Sequence, residues 1–237
     1  MRWLEASLRS GKACFSTRTG GVSGPPFDSL NLGILTDDDR ADVIGNRRRL
    51  ASALGLDGSR VAMARQVHGA RLVTHGTVPV QPHYLEPGDP PAEADGHLTA
   101  VPGLPMLVLA ADCLPVAMTG PGGLAMLHCG WRGLAAGIIA DAAERITATD
   151  AAVGPGIGPC CFEVGDEVLN AFSDLGPGLH RGRKLDLWGV ARRQLERAGV
   201  ERVESADICT CCDEQNFFSH RRDSGKTGRQ AGIAWID

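Results

Sequence analysis

The sequence predicts an α/β (α+β) protein in which helices pack on a mixed β-sheet within a single layered domain. Short apolar runs of strand length alternate with longer segments of helical periodicity, which is the main basis for this class. The 237 residues are 43% hydrophobic, enough to build one large core. Because no internal repeat or clean linker divides the chain, residues 1–237 are predicted to form one domain.

The first part of the chain is predicted to contain a hairpin, a helix and short strands. The hairpin covers residues 1–16 with Gly11 at its turn, the helix runs from Asp37 to Leu54, and strands follow at Val61–Val67 and Arg71–Thr74. A polar loop with five prolines then extends from Thr77 to Ala94. Such a long loop is either a functional lid or an inert insertion.

The segment from Met106 to Gly133 organises the rest of the chain. Met106 to Ala111 is almost wholly apolar, which is typical of a strand covered on both faces, and it ends at Asp112 and Cys113. After a turn of glycine and proline, a second apolar strand ends at His128. We therefore expect the two strands to bring Asp112, Cys113 and His128 to one place.

The remaining elements alternate between helices and strands. Helices are predicted at Leu134–Thr147, Asp166–Phe172 and Leu185–Ala198, and strands at Ala151–Val153, Val200–Val203 and Ala231–Ile236. The glycine-rich loop between Val153 and Cys160 is not a P-loop, because no Lys-Ser or Lys-Thr follows its glycines.

Charge and composition exclude several function classes. The net charge is only −4, with 24 basic and 28 acidic residues, so we expect no nucleic-acid or membrane partner. No apolar run is long enough to span a bilayer and no signal peptide is recognisable, so a cytoplasmic location is expected.

The eight cysteines are expected to be reduced thiols, because they cluster along the chain and no export signal accompanies them. Cys160 and Cys161 are interpreted as packing residues. Cys209, Cys211 and Cys212 form either a soft-metal group or a set of reduced bystanders. The second interpretation is preferred because no histidine lies at zinc-finger spacing.

His68, Cys113 and His128 are candidate metal ligands, because each falls at or next to the end of a predicted strand. Two imidazoles and a thiolate suit zinc and leave a fourth position for water or substrate. Their separations of 45 and 15 residues match no compact metal motif. Buried histidines and a small apolar cysteine would give the same pattern, so the residues alone only suggest zinc.

Two other chemistries are open for the same residues. A blue-copper site would add Met126 as a weak axial ligand, although a multicopper oxidase needs more imidazoles than the seven histidines supply. A metal-free amidase or deamidase would use Cys113 as nucleophile, with His68 or His128 as base and Asp112 orienting the imidazole.

An anion site is predicted near the same strands. Arg18 lies in a loop rich in glycine and proline, where its guanidinium and free amides suit phosphate or carboxylate. The segment from Gly130 to Gly133 opens a helix whose first amides suit an anion. Arg132 and Arg229 are weaker candidates, because each is also a plausible ion-pair partner.

These motifs together resemble the YfiH family, also called the laccase-domain or polyphenol-oxidase family and, more recently, purine nucleoside phosphorylases of that fold. The resemblance spans nearly the whole chain, in the family's order. It rests on TRTGGVSGPPFDSLNLG at 17–33, QVHG at 66–69, ADG at 94–96, ADCLPV at 111–116, HCGWRGLAAGI at 128–138, GPGIGPCCFEVG at 154–165 and FFSHRRDSGKTGRQAGIAWI at 217–236.

The resemblance implies a single α/β domain related to cysteine-hydrolase-like folds, with His68, Cys113 and His128 as ligands of a metal, usually zinc. It implies phosphorolysis of adenosine, inosine, guanosine and methylthioadenosine, together with adenosine deamination, so purine nucleosides and phosphate are the expected partners. Copper-dependent polyphenol oxidation is the older alternative. Within this scheme Asp112 is the candidate acid/base residue and Arg18 the first candidate for phosphate.

Overall fold

The computed structural model describes residues 1–77, 83–87 and 92–237. Its strands are β1 (Trp3–Leu8), β2 (Gly11–Ser16), β3 (Leu72–His75), β4 (Gly96–Thr99), β5 (Met106–Ala110), β6 (Leu114–Gly120), β7 (Gly123–Cys129), β8 (Asp150–Val153), β9 (His180–Arg181), β10 (Lys184–Leu185), β11 (Arg202–Ser205) and β12 (Gln230–Trp235). Its α-helices are α1 (Arg40–Ala53), α2 (Trp131–Ala135), α3 (Ile138–Ile146), α4 (Asp166–Asn170) and α5 (Leu187–Arg197).

Two sheets carry the fold. The first has the order β1-β2-β12-β5 and is antiparallel throughout. The second has the order β11-β8-β6-β7-β4-β3, with parallel pairs at its two edges and antiparallel pairs between them. The α/β class with a mixed sheet is confirmed, but the expectation of one sheet was wrong. β5 and β6 are consecutive, yet they belong to different sheets.

The sheets and helices form four layers. Alternate residues of β5 point to opposite sides, so Met106 and Val108 join a core between the sheets, while Leu107 faces α1. The far face of the second sheet is covered by α3 and α5, which contribute Ile138, Leu195 and their neighbours to the largest apolar cluster. Every strand of the central segment is therefore buried on both faces, as its continuous apolar sequence predicts.

Several element boundaries differ from the sequence prediction. The helix predicted at Leu134–Thr147 begins earlier, as α2, and breaks at Gly137, whose φ of 83° lies in the left-handed region. The strand predicted at Val61–Val67 is reduced to two isolated bridges, between Ala62 and Met106 and between Arg65 and Glu93. β4 was not predicted, because Asp95-Gly96 has the composition of a turn.

The lid interpretation of the loop from Thr77 to Ala94 concerns residues 78–82 and 88–91, which lie outside the described residues. Within the described part of the chain, no helix has the length and apolarity needed to cross a membrane.

Candidate metal centre

His68, Cys113 and His128, the three ligands predicted from the sequence, are brought together by the fold. One donor atom from each lies within 4.8 Å of the others. The two imidazole rings are 4.9 Å apart between centroids and meet edge to face at 75°. His128 is buried, Cys113 is half-buried and His68 is exposed, so the group closes on the protein side and opens toward solvent.

The strand pairing explains why Cys113 meets His128. The chain leaves β5 at Ala110 and enters β6 at Leu114, which is paired with Cys129 in the antiparallel hairpin of β6 and β7. Cys113 therefore extends past the end of this ladder, beside His128. The change from one sheet to the other occurs at Asp112, whose φ of 91° is unusual for a residue other than glycine.

Asp95 holds the two histidines in place and was not among the residues predicted for the site. Its fully buried carboxylate accepts hydrogen bonds from the backbone amides of Val67, His68 and Gly69 at 3.2, 2.9 and 2.7 Å. It also lies 2.8 Å from His128 Nδ1. When His128 donates its Nδ1–H to Asp95, its Nε2 atom is the nitrogen that faces Cys113 and would bind a metal.

The electrostatics of the group favour a thiolate. Burial opposes ionisation of the Cys113 thiol, but the attraction of His128 and hydrogen bonds from both imidazoles outweigh it and lower its pKa to about 6. Burial likewise disfavours a charged His128, yet the Cys113 thiolate and Asp95 raise the pKa of His128 to about 9. A thiolate beside two imidazoles matches the donor set that zinc prefers, so these residues fit a zinc ion.

Two glycines allow helix α2 to pack directly on the three ligands. A Cβ atom on Gly130 would lie 3.0 Å from Cys113 Sγ and 3.4 Å from His68 Cδ2. A Cβ atom on Gly133 would lie 2.7 Å from the carbonyl oxygen of Gly69. The structure thus shows a packing reason for both glycines, which were predicted to bind phosphate.

A cavity of about 70 Å³ opens over the ligands. Apolar side chains form much of its wall, and Arg132 stands at its rim; the apolar residues are Trp131, Ile157, Phe162 and Leu187. The Arg132 guanidinium is exposed and lies 4.5 Å over the ring of Trp131. Among the described residues it has no hydrogen-bond or ion-pair partner, so its donors are available to an anion.

Asp112 lines the same cavity, but both of its carboxylate oxygens already accept hydrogen bonds. The donors are Thr210 Oγ1 and the backbone amide of Arg221, each at 2.7 Å. Asp112 therefore links the loops that carry Thr210 and Arg221 to the cavity. Its role as an acid/base residue stays a prediction.

Arg18, by contrast, is not among the residues that line the cavity. Its Nε donates to the carbonyl of Asp28 at 2.7 Å, its Nη2 lies 3.2 Å from the Asp28 carboxylate, and its guanidinium stacks 4.6 Å over Phe218. These contacts give Arg18 a part in holding its own loop, and its role toward phosphate stays a prediction.

Arg229 lies near Cys113 and Asp112 but is not among the residues that line the cavity. Its Nη1 donates to the carbonyls of Thr227 and Gly228, each at 2.9 Å. Burial lowers the pKa of its guanidinium, and the negative charges of Cys113 and Asp112 partly oppose this effect. Arg229 thus places a positive charge close to the predicted metal ligands.

Comparison with known proteins identifies the family of the chain. Residues 12–237 match the family described as multi-copper polyphenol oxidoreductase laccase. The chain belongs to this family, the YfiH family. Relatives in the family include purine nucleoside phosphorylase YfiH of Shigella flexneri, 39% identical over 242 residues, with 94% of this chain and 93% of that protein aligned. Purine nucleoside phosphorylase YlmD of Geobacillus stearothermophilus is 37% identical over 251 residues, with 92% and 87% aligned.

Solved structures of YfiH-family proteins have the same fold. The crystal structure of the Bacillus licheniformis hypothetical protein YfiH superposes with a TM-score of 0.88 at 33% identity, covering 96% of this chain and 93% of that one. The crystal structure of YlmD from Geobacillus stearothermophilus gives a TM-score of 0.86 at 34% identity, covering 96% and 92%. The YfiH-like fold predicted from the motifs is confirmed.

Proposed function

We propose that this YfiH-family chain is a zinc-dependent purine nucleoside phosphorylase. It would convert adenosine, inosine, guanosine or methylthioadenosine and phosphate into the free base and ribose 1-phosphate, with adenosine deamination as a side reaction. The observation that carries the proposal is that His68, Cys113 and His128 converge, and that two of them, His68 and Cys113, line a cavity together with Arg132. In the described part of the chain the Arg132 guanidinium has no ion-pair partner. The names of the YfiH and YlmD relatives support it.

Zinc is proposed because the donor set is two imidazoles and one thiolate with an open side. Zinc in such a site supplies a Lewis acid that stabilises developing negative charge. Copper chemistry has less support from the described residues. Met126, the axial ligand that a blue-copper site would need, is fully buried in the core between the two sheets. The site gathers two imidazoles, far fewer than a multicopper oxidase requires.

Phosphate is proposed to bind at Arg132. Its guanidinium stacks on Trp131, so its donors are held in one orientation at the rim, and no described residue neutralises its charge. Arg229 adds positive charge close to Cys113 and Asp112. Together they would attract a phosphate dianion and hold it for attack on the ribose C1′.

The nucleoside is proposed to lie across the rim of the cavity. A volume of about 70 Å³ accommodates an ion and small ligands, whereas pockets that enclose drug-sized molecules have volumes of about 300–1,000 Å³. The half-buried rings of Trp131 and Phe162 offer flat apolar surfaces against which a purine can pack. The base would then leave from the side next to the metal ligands, where negative charge on it is stabilised.

A metal-free cysteine hydrolase is a second candidate, and one observation favours it. Cys113, His128 and Asp95 form a thiol–imidazole–carboxylate relay, in which Asp95 takes the orienting role first predicted for Asp112. This arrangement does not require His68, which is the third donor of the group. A cysteine hydrolase would remain active after chelation and be inactivated by iodoacetamide, whereas the zinc enzyme would lose activity on chelation.

The direct test is chromatography of adenosine and inosine incubated with the protein, with and without phosphate. We expect adenine or hypoxanthine in amounts equal to ribose 1-phosphate, and only when phosphate is present. Inosine formed from adenosine without phosphate would identify the deaminase reaction. Oxygen uptake with a diphenol, but no release of base, would show that the polyphenol oxidase alternative is correct.

The phosphate site is tested by comparing two arginines. Arg132→Ala should raise the KM for phosphate about tenfold or more, because it removes charge-assisted hydrogen bonds worth about 1.5–3 kcal/mol. Arg145→Ala is the matched control, since Arg145 is an exposed arginine paired with Asp141 on α3. If Arg18→Ala raises this KM and Arg132→Ala does not, the site lies at the Arg18 loop instead.

A further inference from the structure

Four cysteines outside the catalytic cavity converge at the surface. One donor atom from each of Cys160, Cys161, Cys209 and Cys212 lies within 4.8 Å of the others. The Sγ atom of Cys212 is 3.3 Å from that of Cys160 and 3.4 Å from that of Cys161. This juxtaposition corrects the sequence interpretation of Cys160 and Cys161 as packing residues. For the second group it favours the soft-metal alternative over reduced bystanders. Cys211 does not belong to the four.

The sheet explains why the two groups meet. β8 and β11 are neighbouring parallel strands, so the loops that follow them leave the same edge of the sheet. The pairing continues beyond the strands, because the amide of Gly156 donates to Ile208 O at 3.2 Å and that of Thr210 to Gly156 O at 3.1 Å. The two cysteine pairs are thus carried by backbones that are already bonded to each other.

We infer that Cys160, Cys161, Cys209 and Cys212 form a second metal site, which takes a structural zinc ion. A tetrahedron of Zn–S bonds of about 2.3 Å has sulfur–sulfur edges of about 3.8 Å, and the separations in this cluster bracket that length. Cys209 and Cys212 have the C-x₂-C spacing common in zinc sites. Four sulfur donors select a soft or borderline metal over magnesium or calcium.

The surroundings of the cluster suit bound thiolates. The backbone amide of Gly158 donates to Cys209 Sγ at 3.2 Å, which stabilises negative charge on that sulfur. A zinc ion with four thiolates carries a net charge of −2, and two cations stand beside it. Lys184 Nζ donates to the carbonyl of Cys160 at 2.8 Å, and Arg221 Nη1 to that of Cys161 at 3.0 Å.

The cluster would hold one wall of the catalytic cavity. Phe162, which lines that cavity, directly follows Cys161 in sequence. Thr210, between Cys209 and Cys212, donates to the carboxylate of Asp112 at 2.7 Å. A zinc ion that joins the two loops therefore fixes the positions of two lining residues, Phe162 and Asp112, without contacting substrate. This role does not depend on which reaction the cavity performs.

The test is a zinc count on protein purified under reducing conditions. Wild-type protein should contain about two zinc ions per chain, and Cys113→Ala should retain about one. The double variant Cys209→Ser/Cys212→Ser should lose one ion, whereas Cys211→Ser, the matched control from the same loop, should keep both.

Cobalt provides a readout that does not depend on the folding of the cluster variant. Co²⁺-loaded Cys113→Ala lacks the thiolate of the catalytic cavity, so sulfur-to-cobalt charge-transfer absorption in this variant would come from the four-cysteine cluster. The inference is overturned if this absorption is missing. It is also overturned if the wild type binds a single zinc that Cys113→Ala removes, or if its mass shows a disulfide among the four cysteines. None of these results bears on nucleoside turnover.

Discussion

Replacing Asp95 with asparagine tests how the metal site is built. The substitution keeps the size of the side chain but exchanges one carboxylate oxygen for an amide nitrogen. Asp95 accepts two hydrogen bonds on each oxygen, from His68 N and His128 Nδ1 on one, and from Val67 N and Gly69 N on the other. The new amide would therefore face two donors that it cannot satisfy.

The structure sets the size of the effect. A fully buried donor left without an acceptor costs about 1–3 kcal/mol. The backbone donors to Asp95 are part-buried, so two unsatisfied donors should lower the free energy of unfolding by at most about 2–6 kcal/mol. The loss of a carboxylate behind a metal-binding histidine typically weakens metal affinity by about 10–100-fold. Burial disfavours the charge of Asp95, but hydrogen bonds from His128 and the loop amides outweigh it and lower the pKa of this carboxyl. The native group is therefore an anion at neutral pH.

The assay combines urea unfolding of the metal-free protein with zinc affinity from chelator competition. Asp141→Asn is the matched control, because Asp141 is exposed and paired with Arg145 on a helix surface, where such pairs contribute about 0.3–0.5 kcal/mol. If Asp95→Asn binds zinc as tightly as the wild type and unfolds at the same urea concentration, Asp95 does not support the ligands as argued.

Two further predictions concern single side chains. Gly130→Ala should weaken zinc binding about tenfold with little change in fold, because the added Cβ lies only 3.0 Å from Cys113 Sγ. Gly45→Ala in α1 is the control, since its added Cβ makes only an ordinary contact. Equal zinc affinities of the two variants would contradict this prediction. Burial lowers the pKa of His97 to about 3, so the unfolded chain takes up a proton near pH 6.5 and the folded one does not. The contribution of neutral His97 to the free energy of unfolding should therefore be complete above pH 6.5 and fall by about 1.4 kcal/mol per pH unit as the pH decreases toward 3. Urea unfolding at a series of pH values should show a weaker pH dependence for His97→Gln. An unchanged pH dependence would exclude His97 as its source.

The convergence of the three candidate ligands was predictable because each of them marks a sharp change in the sequence. Cys113 and His128 follow apolar runs that had to be strands, and His68 lies in a short motif before another strand. Strand ends are where side chains leave the core, so polar residues at these places predict a site. The resemblance to the YfiH family then assigned all three to one metal.

Asp95 was missed because its role depends on pairing between distant strands. Asp95-Gly96 reads as a turn, and only the ladder between β4 and β7 places Asp95 beside His128. The second sheet was missed for a related reason. The sequence predicts two strands between Met106 and His128, whereas the structure has three, β5, β6 and β7. The change of sheet between β5 and β6 depends on the backbone conformation of Asp112, which composition does not reveal.

Arg18 and the four-cysteine cluster also depend on contacts between segments that are distant in the sequence. Arg18 has the features of an anion-binding residue in the sequence, but Asp28 neutralises it from ten residues away. The two cysteine groups lie about fifty residues apart, and parallel pairing of β8 with β11 brings them together. The local sequence identifies candidate site residues, but pairing between distant segments determines which of them lie close together.

We propose above all that zinc held by His68, Cys113 and His128 is needed for nucleoside phosphorolysis. It is tested most directly by measuring phosphate-dependent adenine release while chelated protein is titrated with zinc, for the wild type and for Cys113→Ser. We expect wild-type turnover to rise in proportion to occupancy of this site, and Cys113→Ser to remain inactive at every zinc concentration. Phosphorolysis by the chelated wild type, or by Cys113→Ser at a comparable rate, would contradict the account.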